Sequence, residues 1–106
     1  MTGTDTLDAL FAAVADPTRR SLLARLRSNG PQSATRLVAG TAVSRQAIVK
    51  HLQVLADAGL VDATRVGREV LYAARPEALT AGVAWLVETG ADWDRRLDRL
   101  RRHVER

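Results

Sequence analysis

Between Arg45 and Gln53 the chain carries Arg45, Gln46, Val49, Lys50 and Gln53. Wound as a helix at ~100° per residue, these five side chains share one face. Ala47, Ile48, His51, Leu52, Leu55 and Ala58 fall on the opposite face. The first group suits the reading of base edges. Arg45 and Lys50 can donate to guanine O6 and N7, Gln46 and Gln53 can pair with adenine, and Val49 can touch a thymine methyl. Ser44 stands where a hydroxyl accepts orphan N–H bonds of the first turn, and it counts with the DNA-facing residues. Arg45 and Gln46 then occupy the end that meets bases in helix-turn-helix docking. Any surface helix turns polar residues outward, so this face by itself reads as a solvated one. Its neighbours reverse that reading. No acidic residue is expected on the face, and a glycine turn and a hairpin flank it.

A second basic feature lies further on, where Arg65 and Arg68 bracket Val66-Gly67. Glycine permits the positive φ of a tight turn, and arginines at its tip can reach phosphates or a neighbouring minor groove. From Ser33 to Arg75 the bases are Arg36, Arg45, Lys50, Arg65, Arg68 and Arg75, against Asp57, Asp62 and Glu69. The formal net charge of +4 has the sign a nucleic-acid partner requires. Nothing points to an enzyme. The chain has no cysteine, hence no thiolate nucleophile or cysteine metal site, and it shows no phosphate-cradling glycine loop or triad. His51 lies among apolar neighbours, where a histidine is expected to be packed and hydrogen-bonded, and His103 carries less signal.

The elements that must hold these residues follow from spacing. Leu7, Leu10, Phe11 and Val14 predict a first helix over 5–15. Asp16-Pro17 starts a second, with Leu22, Leu23 and Leu26 as its apolar stripe and Asn29-Gly30-Pro31 as its stop. Ser33 caps a short third helix, Gly40-Thr41 makes the turn, and the fourth helix runs over 45–58 until Gly59. Residues 60–64 and 69–73 then read as a hairpin. Pro76 opens a long last helix to about residue 104, with Gly82 and Gly90 as weak points and a bend or break expected near Gly90. The fold class is mainly α with a β-hairpin wing, in the order α-α-α-α-β-β-α. It forms one domain over 1–106, with a helix-turn-helix at 33–58, a wing at 60–74 and a terminal helix at 76–104.

With these elements in place, the chain resembles the ArsR/SmtB family of winged helix-turn-helix transcriptional repressors. The resemblance covers residues 7–100. It rests on Ala15-Asp16-Pro17-Thr18-Arg19-Arg20, on the run from Val43 to Leu52, and on Leu55-Ala56-Asp57-Ala58-Gly59-Leu60-Val61. It implies a homodimer whose first and last helices pair across a two-fold axis, which assigns the seam to Leu7, Leu10, Phe11, Trp85, Leu86, Trp93 and Leu97. Both tryptophans suit an interface on their own account. The family also implies an inverted-repeat operator on double-stranded DNA and release by an inducer. This chain departs from the family's metal sites. Its third helix offers no soft ligand, and Asp92-Trp93-Asp94 with His103 and Arg106 matches the last-helix pattern poorly, so no metal or cofactor is expected. A small-molecule effector between the terminal helices remains open.

Two other readings compete with a sequence-specific repressor: a non-specific architectural DNA binder and a winged-helix protein-interaction module. No run of apolar residues approaches a membrane span, and the first five residues do not look like a secretory leader. The expected location is the cytoplasm.

Overall fold

The computed structural model describes residues 3–105. Met1 and Thr2, read above for a leader, and Arg106, set against a metal-site carboxylate, lie outside the described residues. In chain order the elements are α1 (Gly3–Ala15), α2 (Pro17–Asn29), β1 (Gln32–Ser33), α3 (Ala34–Val38), α4 (Arg45–Asp57), β2 (Val61–Val66), β3 (Glu69–Ala74) and α5 (Pro76–Val104). The caps are those the sequence advertised. Asp16 accepts the Arg19 N–H at 3.0 Å, Ser33 that of Arg36 at 3.3 Å, and Ser44 that of Ala47 at 3.2 Å. Each satisfies a donor that its helix start leaves open.

One stripe from each of α1 to α4 meets in a single core. Leu22, Leu26, Leu37, Ile48, Leu52, Leu55 and Leu60 are its largest fully buried side chains. Leu60 ties the hairpin to this core. Its N–H donates to the Leu55 carbonyl at 2.9 Å, and its own carbonyl accepts the Arg75 N–H at 2.8 Å.

The sheet has three strands in the order β1-β3-β2, all antiparallel. The first of them was not expected. Gln32 and Ser33 pair with Tyr72 and Leu71, but two residues are too few to show a period-two pattern. The wing itself is longer by a residue or two than predicted, with Val66 opposite Glu69 across a Gly67-Arg68 loop. Gly67 has φ +62°, and no non-glycine described residue has positive φ. That is the glycine-first arrangement of a two-residue hairpin turn.

Of the bend or break expected near Gly90 the break does not occur, since α5 is helical throughout Pro76–Val104. Its length, roughly 43 Å at 1.5 Å per residue, carries its second half beyond the core. At Gly82 α5 crosses α1 so closely that an added Cβ would stand 2.5 Å from Leu10 Cδ2. This contact explains a glycine in a helix interior.

Candidate nucleic-acid interface

α4 separates its two faces as predicted. Ile48, Leu52 and Leu55 are fully buried, whereas Arg45, Gln46, Lys50 and Gln53 are exposed and Val49 is partly so. A short frame positions the helix. Gly40 takes φ +81°, the Thr41 hydroxyl donates to the Val38 carbonyl at 2.8 Å, and Ser44 caps the start. From α2, Arg25 donates to the Leu37 and Arg36 carbonyls at 2.7 and 3.3 Å, covering the C-terminal end of α3. A guanidinium there adds a donor to the carbonyls of the helix end and meets the negative end of the helix dipole.

Arg45 and Arg68 line one groove, of about 290 Å³, between α4 and the wing, together with Thr35, Val49, Glu69 and Tyr72. Arg45 is already oriented within it, because its Nε donates to Thr35 Oγ1 at 3.3 Å. Arg65 is exposed on β2 but does not line this groove. The face is not free of acid, which corrects the expectation. Gln53 Nε2 donates to Asp57 Oδ1 at 2.9 Å, one turn further along α4. The i+4 spacing could have revealed this pair, since at ~100° per residue Asp57 falls within the arc of the reading face.

Beneath α4 lies a polar knot whose members sequence reasoning named separately, Asp16 as a helix start and His51 as a packed histidine, without joining them. His51 Nδ1 is 3.4 Å from a guanidinium nitrogen of Arg19 and 4.0 Å from Asp16 Oδ2. Arg19 also donates to the Ala13 and Ala12 carbonyls at 2.7 and 3.1 Å, and Arg20 to those of Val14 and Ala15 at 2.7 and 2.9 Å. The knot therefore joins the end of α1, the start of α2 and the inner side of α4. The Arg19 backbone N–H holds the Asp16 carboxyl below its ordinary pKa; partial burial opposes this, while the Arg19 guanidinium and His51 add to it.

The residues assigned to a seam divide into two groups. Leu10 is 4% exposed and belongs to the core of its own chain, and Phe11 meets Trp85 with ring centroids 5.8 Å apart. Leu7 is partly buried against the same core. Leu86, Trp93 and Leu97 remain 53%, 58% and 52% exposed. Trp85 and Trp93 stand ~80° apart around the helix, so they do not share one line. Arg96 lies over the Trp93 ring at 5.8 Å, and Asp92 is ion-paired with Arg95.

Comparison with known proteins agrees with this geometry. Residues 14–63 match the model of a helix-turn-helix domain family. An ArsR-like transcriptional regulator from Rhodococcus sp. RHA1 superposes with a TM-score of 0.85 at 43% identity, covering 95% of each chain. The HTH-type transcriptional regulator YuzN of Bacillus subtilis is 42% identical over 58% of this chain and 73% of its own. YgaV of Escherichia coli, also an HTH-type transcriptional regulator, is 35% identical over 74% of this chain and 79% of its own. The chain belongs to the ArsR family of winged helix-turn-helix transcriptional regulators.

Proposed function

We propose that the protein represses transcription as a homodimer, with two copies of α4 entering successive major grooves of an inverted-repeat operator. One observation carries the reading. A single helix is anchored by Ile48, Leu52 and Leu55 and turns Arg45, Gln46, Lys50 and Gln53 to the outside. Ser44 and Val49 lie on the same approach, and Arg65 and Arg68 on the wing supply phosphate contacts. That Arg45 and Arg68 line one groove supports this over a general interaction module, since a cation reading bases and one reading the backbone would then act side by side. In this reading the protein has no catalytic activity of its own and works in the cytoplasm. No helix among the described residues is long and apolar enough to cross a membrane.

Fluorescence anisotropy on the duplex upstream of the protein's own gene, with a scrambled duplex beside it, tests the reading. Arg45→Ala should cost roughly 1–3 kcal/mol on the cognate duplex and relax preference at one base pair. Arg68→Ala should weaken binding to both duplexes alike and flatten the dependence on salt. Equal affinity of the wild type for the two duplexes would remove the sequence-specific reading.

A further inference from the structure

Away from the DNA face, two recesses of about 210 and 290 Å³ open between α2 and the start of α5. Leu23, Arg27 and Leu79 line both, so the recesses adjoin in a groove along these three side chains. Its floor is apolar, with Leu26, Pro31 and Ala74 at one end and Val14 and Ala24 at the other. Its rim carries charge of one sign: Arg20, Arg27 and Arg75 line it and no acidic residue does. Two of these cations already have partners. Arg20 donates to the end of α1, and Arg75 pairs with Asp62 at 3.3 Å and Glu77 at 3.9 Å. Arg27 makes no hydrogen bond or ion pair among the described residues, unlike the other three arginines of α2.

We propose that this groove binds a small apolar carboxylate, with the hydrocarbon along Leu23 and Leu79 and the carboxylate on the Arg27 guanidinium. Charge complementarity selects this occupant. A neutral apolar molecule would leave Arg27 unused, and a polar anion would leave the floor exposed to water. Ligand sites are commonly apolar with one or two orienting polar groups, and the adjoining recesses together fall at the small end of their size range. The lining spans α2, the end of β3 and the start of α5, so the bound acid touches both the base of the wing and the helix assigned to dimerisation. The inference rests on the regulator reading, for which it supplies the effector class.

Isothermal titration calorimetry of the full chain with octanoate, in the absence of DNA, tests it. Saturable binding at one octanoate per chain is expected. Hexanoate should bind roughly tenfold or more weakly, because each buried methylene is worth about fourfold. Octanol should bind at least about fivefold more weakly than octanoate, and Arg27→Gln should remove that difference. Ala24→Glu, at an exposed lining position, should abolish octanoate binding with the circular dichroism spectrum unchanged. Absence of saturable heat, equal affinity for octanol, or full affinity in Ala24→Glu would each overturn the proposal. Operator affinity of the unliganded protein is measured separately by anisotropy. A failure there strikes the regulator reading and leaves the calorimetric result standing.

Discussion

At the scale of single residues, much of the molecule's order comes from charged groups meeting helix ends. Asp16 caps α2 and also faces Arg19 and His51, so its ionised form is favoured in the folded chain. A carboxyl with a depressed folded pKa adds stability that is fully present above its unfolded value, about 3.9, and is lost as pH falls through the folded value. Asp16→Asn keeps an acceptor for the Arg19 N–H but carries no charge. In urea melts the wild type should therefore exceed Asp16→Asn in midpoint near neutral pH. The gap should close as pH drops below about 4. A gap that stays constant into strong acid would show that the charge contributes nothing. Of the arginines of α2 that bond to the backbone, Arg19 and Arg20 stood out in the sequence only as part of the motif from Ala15 to Arg20, and Arg25 did not stand out. Their actual partners are carbonyls at the ends of α1 and α3, and no spacing rule announces a bond between a side chain and the backbone of another helix.

Helices and strands were legible wherever a cap or a glycine marks a boundary, as at Asp16, Ser33, Ser44 and Gly59. The reading face of α4 was legible because its apolar and polar residues segregate at the helical period. Two elements escaped for different physical reasons. β1 exists because β3 offers a free edge to two residues, which is a tertiary event. The continuity of α5 could not be judged from glycine propensity, because a roughly 1 kcal/mol penalty does not break a helix with 29 residues of hydrogen bonding. At Gly82 packing sets the residue type. Gly82→Ala would gain up to about 1 kcal/mol in helix propensity, but its methyl would press on buried Leu10. Overpacking costs about 1–3 kcal/mol, so a net loss of stability is expected. In a thermal-melt double-mutant cycle, Leu10→Ala should relieve that loss, and Gly82→Ala should be neutral or stabilising in its presence. Strict additivity would mean that α1 and α5 are not in this close contact.

For the whole molecule, the dimensions themselves argue for a partner. The radius of gyration is 18.5 Å and the long axis 69 Å, whereas a compact chain of this length would have a radius near 13 Å. The excess comes from α5, whose second half projects beyond the core with Trp93, Leu97, Leu100 and Val104 exposed. Val83, Leu86, Gly90, Trp93, Leu97, Leu100 and Val104 follow one another at alternating steps of three and four residues. That is the seam pattern of paired helices, and it places Gly90 where a missing side chain leaves room for a bulky neighbour. Trp85 stands off this line and rests on Phe11, so it buttresses α5 from within the chain. The two tryptophans should then respond differently. Trp93→Ala is expected to weaken self-association by about 2–4 kcal/mol, as loss of a central aromatic anchor does, and Trp85→Ala by less than half of that. Leu97→Glu would set like charges against each other across the seam and should give monomer throughout the micromolar range. Its α4 and wing should remain folded, because residue 97 lies outside the core. Sedimentation equilibrium on the three variants reads this directly. Undiminished dimer in Leu97→Glu, or a larger effect from Trp85→Ala than from Trp93→Ala, would move the seam off this stripe and onto α1.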